Sequence, residues 1–175
     1  MTSFEELGVG QEIVRALALL GIKQPTPVQE AVLPLAFAGK DILAQSQTGS
    51  GKTAAFAIPL CQLVDWEENR PQALILVPTR ELALQVQEET ASIGKFRRMK
   101  VPVLIGSHSY RQQERDLKQK AHIVVGTPGR VLDHLDQGTF PTEAIRYVII
   151  DEADEMLELG FLEQVEEILC SLPKE

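Results

Sequence analysis

The chain has 175 residues, 44% apolar and 24% charged, which suits one ordinary soluble globular domain with a sizeable buried core. It has no apolar run of bilayer-spanning length, and its start, Met1-Thr2-Ser3-Phe4-Glu5-Glu6, lacks the basic and apolar regions of a secretory signal, so a cytoplasmic protein without a membrane partner is expected. A net charge of −8 argues against holding nucleic acid by bulk attraction.

The first expected element is a short amphipathic helix over Gln11 to Leu20, with Ile13, Val14, Leu17 and Leu20 at helical spacing and Gly21 as its terminator. In the following stretch, Gly21 to Gln29, Thr26 can cap a second helix and Pro27 suits its first position. Gln29 falls where a capping box puts its reciprocal side chain, which is a complete structural explanation of that residue. The helix is expected to run to about Ala38 and stop at Gly39.

Beyond it the pattern alternates. Apolar runs at Ile42 to Ala44, Ala73 to Val77, Val101 to Ile105, Ile123 to Val125 and Tyr147 to Ile150 read as strands buried on both faces, separated by helix-like stretches. Such a series makes an α/β fold, a doubly wound, mainly parallel sheet with helices on both faces, whose ligands gather beyond the carboxyl ends of the strands. Cys61 and Cys170 lie far apart in apolar segments, which suits reduced, buried thiols.

The first run opens into Ser46-Gln47-Thr48-Gly49-Ser50-Gly51-Lys52-Thr53. A phosphate gives up strong hydration only where several donors converge, and glycines let backbone amides approach it. In the pattern G-x-x-x-x-G-K-[ST], Lys52 places a charge on the β and γ phosphates and the Thr53 hydroxyl holds Mg²⁺; here Ser46 stands at the first position. A glycine-rich surface turn before a helix is the bland alternative.

The fifth run opens into Asp151-Glu152-Ala153-Asp154. Mg²⁺ is usually held by one or two carboxylates, waters and nucleotide phosphates, so Asp151 can orient the metal while Glu152 positions or deprotonates an attacking water. Helix capping by Asp151, with the acids after it as a solvated first turn, is the competing reading.

The remaining turns are Pro78-Thr79-Arg80-Glu81-Leu82, Gly106-Ser107 and Gly126-Thr127-Pro128-Gly129-Arg130. Thr79 and Thr127 are plausible N-caps and Pro128 a first helical residue. Arg80 and Arg130, however, sit at helix starts where the macrodipole disfavours cations, so a second anion nearby would rationalise them. Two adjacent grips on a polynucleotide backbone fit that pattern. Nine of the seventeen basic residues lie between Lys95 and Arg130 with only Glu114 and Asp116 against them, a run that also fits a solvated face.

In this order the motifs resemble the DEAD-box family of ATP-dependent RNA helicases of bacterial type, along nearly the whole chain. The resemblance implies a RecA-like lobe that binds ATP and Mg²⁺ and couples hydrolysis to RNA binding and local unwinding. Gly21 to Gln29 matches the family's Q motif, in which Gln29 reads the adenine edge and Phe4 stacks on the base. Lys52, Asp151 and Glu152 match the catalytic residues, with Thr53 and Asp151 at the metal. Pro78, Thr79, Arg80, Thr127, Pro128, Gly129 and Arg130 match the RNA-backbone motifs, and Gly106-Ser107 stands where a glycine pair is usual. Residues 1–175 are thus expected to form a single lobe, with the Q-motif segment in 1–39. The Ser-Ala-Thr motif and the second lobe of such helicases do not follow, so the chain reads as cut within its first lobe. The alternative is a nucleotide- or partner-binding module without turnover.

Overall fold

The computed structural model describes residues 1–47 and 49–174. Two compact units are distinguishable, one formed by Met1–Val64 with Glu88–Met99, the other by Asp65–Gln87 with the chain from Lys100 onward.

In the first unit, α1 (Gln11–Leu19) buries Ile13, Ala16 and Leu17, which its 3.6-residue period brings to one face. It ends where Ile22 N–H donates to the Leu17 carbonyl at 2.9 Å and Gly21 N–H to that of Ala18 at 3.0 Å, a closure that satisfies two terminal carbonyls. The next helix, α2 (Pro27–Phe37), starts with the expected capping box. Thr26 N–H donates to Gln29 Oε1 at 3.0 Å and Gln29 N–H to Thr26 Oγ1 at 3.4 Å. It packs against α3 (Lys52–Leu63), whose Ala54, Ala55 and Ile58 are buried. Gln62 of α3 pins the N-terminal segment: its Nε2 donates to the Gly8 carbonyl and its Oε1 accepts from Gly10 N–H, both at 2.8 Å.

The second unit is built on a parallel sheet of β1 (Ala73–Leu76), β2 (Val103–Leu104), β3 (Ile123–Gly126) and β4 (Tyr147–Ile150) in the order β2-β3-β1-β4. The register pairs Leu76 with Gly126 on one side and with Ile150 on the other, so the carboxyl ends of β1, β3 and β4 finish level. Its helices are α5 (Tyr110–Gln119), α6 (Pro128–Asp136), α7 (Ala153–Glu158) and α8 (Leu162–Cys170), with α4 (Arg80–Ile93) beginning here and ending in the first unit. Leu74, Leu76, Leu104, Val124, Val131, Phe140, Met156 and Ile168 share one buried cluster, and α6 packs on α8.

Three expectations need correction. Ile42 to Ala44 is not a strand and Leu43 is fully exposed: an apolar run becomes a strand only when another strand offers it a ladder, and among the described residues this segment is paired with none. The second concerns burial: β1 and β3 are buried throughout, but β4 is only partly covered, as the end position in the sheet order dictates. Third, Cys61 is buried but Cys170 is exposed. On α8 the buried residues are Val165 and Ile168, and Cys170 falls about half a turn of the helix from Ile168.

Candidate functional site

In the first unit, the glycine-rich loop ends on Gly51, whose φ of 83° lies in the left-handed region before Lys52 opens α3. A Cβ there would stand 2.5 Å from Gln29 Nε2 and 3.0 Å from a Thr26 methyl, so only glycine lets the loop lie this close to the start of α2. Gln29 is 1% exposed, and its Nε2 donates to the Gly51 carbonyl at 3.0 Å. One side chain therefore completes the capping box and ties down the loop. Within the loop, Ser50 N–H donates to the Gln47 carbonyl at 3.2 Å and Ser50 Oγ to Ser46 Oγ at 3.0 Å. Lys52 and Thr53 occupy the first turn of α3, where helix amides and dipole favour an anion. Thr48 lies outside the described residues. Beside the loop runs a groove of about 650 Å³, lined by Thr26, Pro27, Val32, Ile42, Gly49 and Ser50 among others. Phe4, the expected stacking residue, is 2% exposed and belongs to the buried core.

In the second unit, the turns after the strands emerge at one end of the sheet, since all strands run parallel. Pro78 is buried after β1, and Thr79 is a true cap: its Oγ1 accepts from Leu82 N–H at 3.2 Å. Arg80 is exposed at the first position of α4. Thr127 takes the cap position of α6, but its side chain makes no cap hydrogen bond; its N–H donates to the Leu104 carbonyl at 3.1 Å. Gly129 follows Pro128 in the first turn of α6. Gly106 and Ser107 are exposed, and a Cβ on Gly106 would meet nothing within 4 Å.

Asp151 follows β4, is 5% exposed, and donates its N–H to the Leu76 carbonyl at 2.9 Å. Glu152 has φ 55° and ψ 50°, a left-handed conformation that costs a non-glycine residue about 1 kcal/mol or more. Backbone held this way needs support from its surroundings and is concentrated at functional positions. The oxygen donors here, two adjacent carboxylates, suit a hard cation. Among the described residues no three His, Cys, Asp or Glu side chains cluster as a metal cage.

Behind these turns lies a polar cluster that sequence reading missed. Arg130 Nη1 donates to the His108 carbonyl and to Gln113 Oε1, both at 3.1 Å, and Nη2 to the Gly106 carbonyl at 3.2 Å. Gln113 Nε2 donates to the Ile105 carbonyl at 2.8 Å, which leaves its oxygen facing Arg130 and His134 Nε2, the latter at 2.9 Å. His134 Nε2 must then carry the proton, and Nδ1 accepts from Thr139 Oγ1 at 2.7 Å. Tyr110 stacks on His134 with centroids 4.0 Å apart, its hydroxyl 2.6 Å from Thr139 Oγ1. Burial, aided by the Arg130 charge and opposed by Asp133 and Glu114, lowers His134 from 6.5 to about 4, so it is neutral near pH 7. The available signal was positional: Gln113 precedes buried Leu117 by one turn, and His134 follows buried Val131 by three residues, so both lie on core stripes.

A family model described as DEAD/DEAH box helicase matches residues 26–175. The chain belongs to the DEAD/DEAH box helicase family. It is 55% identical over all 175 residues to the "ATP-dependent RNA helicase DbpA" of Bacillus subtilis (strain 168), covering 36% of that protein. Identity to the "DEAD-box ATP-dependent RNA helicase CshA" of Geobacillus kaustophilus (strain HTA426) is 46% over 175 residues, 38% of that protein's length. The chain thus spans little more than a third of these curated relatives. Among solved structures, a DEAD box protein from the hyperthermophile Methanococcus jannaschii superposes with TM-score 0.94 at 44% identity, over 99% of this chain and 48% of that one. Dbp5 of S. cerevisiae bound to RNA and ADP BeF3 superposes with TM-score 0.91 at 34% identity, over 99% of this chain and 44% of that one. The DEAD/DEAH box fold is therefore the fold of this chain: α/β, RecA-like, on a parallel sheet.

Proposed function

We propose that the chain is the ATP-binding first lobe of an ATP-dependent RNA helicase, an RNA-dependent ATPase that couples nucleotide turnover to local unwinding. The observation that carries this reading is the placement of Pro78-Thr79-Arg80, Gly106-Ser107, Thr127-Pro128-Gly129-Arg130 and Asp151-Glu152 at the carboxyl end of one parallel sheet. Support comes also from the family match and from the RNA and ADP BeF3 bound to Dbp5. In this reading residues 1–175 form one lobe that works with a second RecA-like lobe, in the cytoplasm.

The phosphate loop, Gln47 to Thr53, binds the nucleotide phosphates, with Lys52 as the charged contact and loop amides as donors. Gln29 holds Gly51 and, by the family resemblance, reads the adenine edge, while Phe4 lies in the core. By the family resemblance Thr53, in the first unit, and Asp151, in the second, are each expected to be Mg²⁺ residues, and the ion when bound would supply charge neutralisation at the phosphates. Glu152 accepts the proton of the attacking water, and Asp151 fixes its neighbour through the short link from β4. The exposed groups of these turns, Arg80 among them, contact backbone phosphates and sugars, which gives low sequence specificity.

The test is binding of a fluorescein-labelled single-stranded RNA as salt is varied, with Arg80→Ala beside the unmodified chain. Loss of one phosphate contact should lower affinity for all sequences alike and reduce the salt slope by about 0.7. An unchanged slope would assign Arg80 to structure alone. Absence of RNA binding by the unmodified chain, with ATP still bound, would favour the nucleotide-binding module instead.

A further inference from the structure

The exposed carboxyl-end turns are candidates for RNA contact, but Arg130 is only 16% exposed and three of its N–H groups already point into the protein. We propose that Arg130, locked by buried Gln113 and His134, is a positioning residue that shapes the turn Gly106–His108 for a phosphate backbone rather than a direct phosphate ligand. The proposal rests on the RNA-binding reading above and deepens it.

The physical case starts with carbonyl oxygens. A turn that must meet a phosphate has to keep its carbonyls away from it, because their partial charges repel the anion. Here the carbonyls of Ile105, Gly106 and His108 are all occupied by donors from Gln113 or Arg130. The exposed side of the turn is thereby relieved of that repulsion, and nothing crowds Gly106 from outside. The guanidinium fork suits this task, since two nitrogens can reach two carbonyls on either side of Ser107 while sharing Gln113. Gln113 is 2% exposed and His134 fully buried, so the acceptor that fixes Arg130 is itself fixed. A chain of bonds from Tyr110 and Thr139 through His134 and Gln113 thus ends on the turn. Asp133 stands 3.6 Å from Arg130 Nε, and Arg130 Cζ lies 5.7 Å from the Tyr110 ring centre. Both further reduce its freedom to swing outward.

Two variants separate a brace from a phosphate grip. Gln113→Leu removes the acceptor without touching any charge; Arg130→Lys keeps the charge but cannot span two carbonyls and Gln113. Both should weaken binding of labelled single-stranded RNA about five- to tenfold. Both should also leave the salt slope as in the unmodified chain and speed amide hydrogen exchange at His108, whose N–H donates to the Ile105 carbonyl within the turn. ATP affinity of Gln113→Leu should be unchanged, which a general loss of folding would not allow. If Arg130→Lys binds RNA as well as the unmodified chain, Arg130 is a point charge for phosphate and the proposal fails. Unchanged exchange at the turn in both variants overturns it equally. Should Gln113→Leu not fold, as thermal melting would reveal, Arg130→Lys decides the question alone. If the unmodified chain binds no RNA, the functional reading fails, and exchange at the turn still decides whether the brace exists.

Discussion

Gln29 illustrates how one side chain can serve helix geometry and the placement of a neighbouring loop together. Its oxygen accepts from Thr26 N–H, and its nitrogen reaches the Gly51 carbonyl at the end of the glycine-rich loop. Gln29→Ala should therefore weaken ATP binding by about 1 to 2 kcal/mol, the scale of a buried hydrogen bond left unmade. Measured by titration against ATP and GTP, loss of discrimination identifies a reader of adenine. An equal loss for both nucleotides identifies a brace of the loop, and no loss for either removes Gln29 from the site. His134 makes a second prediction at this scale. Its protonation is suppressed in the folded state by burial and by Arg130, with Asp133 and Glu114 opposing and Tyr110 stacked on the ring. Because the folded value of about 4 lies below the ordinary 6.5, the unfolded chain binds the proton first. Stability is thus constant above about pH 7 and falls as pH drops through 6.5 towards 4; from this residue the loss between pH 7.5 and 5 is about 2 kcal/mol. His122 is shifted downward too, mainly by burial, and adds in the same direction. Urea unfolding of His134→Gln at the two pH values should show a smaller difference than the unmodified chain; an equal difference would mean that His134 does not titrate in this window.

Among elements, the contact between β3 and α6 is the tightest constraint on the carboxyl-end turns. Gly126 closes β3, and a Cβ there would stand 2.5 Å from a Val131 methyl and 3.0 Å from the Leu104 carbonyl oxygen. The backbone of β3 therefore approaches both α6 and β2 more closely than any side chain allows, which places Thr127 to Arg130 where they are. Gly126→Ala should destabilise the chain by about 1 to 3 kcal/mol, as overpacked cores do. Adding Val131→Ala removes the methyl but not the carbonyl, so rescue in chemical denaturation should be partial. Full tolerance of Gly126→Ala would show that α6 is free to shift.

For the whole molecule, the decisive comparison is between these 175 residues and longer relatives, of which they cover little more than a third. By the resemblance to DEAD-box helicases, the γ-phosphate site is expected to be completed by arginines of a second lobe. A missing arginine finger in related P-loop enzymes lowers turnover about 10³- to 10⁵-fold. ATPase activity of these residues with saturating RNA should accordingly be near background and rise when they are joined to a second lobe. Equal rates in the two forms would mean that the catalytic set is complete here. The acidic balance acts at this scale as well, since a net charge of −8 gives RNA no bulk attraction, and in the proposed function binding would be left to the local turns.

The helix starts, the glycine-rich loop and the order of the motifs were legible because they depend on neighbours in the chain. Thr26 caps the helix three residues from Gln29, Gly51 precedes Lys52 by one, and Asp151 follows an apolar run directly. Periodicity likewise located β1, β3 and β4. Sequence did not decide whether an apolar run finds a ladder, because that depends on an edge supplied from elsewhere; Ile42 to Ala44 has the composition of a strand and lacks the pairing. Nor could it tell that Phe4 is enclosed, that Thr79 caps while Thr127 does not, or that Arg130 turns inward. Each of those outcomes is set by groups brought close only by folding. A side chain's partner is the nearest group of matching chemistry in space, and for Arg130 it comes from residues 17 to 24 positions away in the chain.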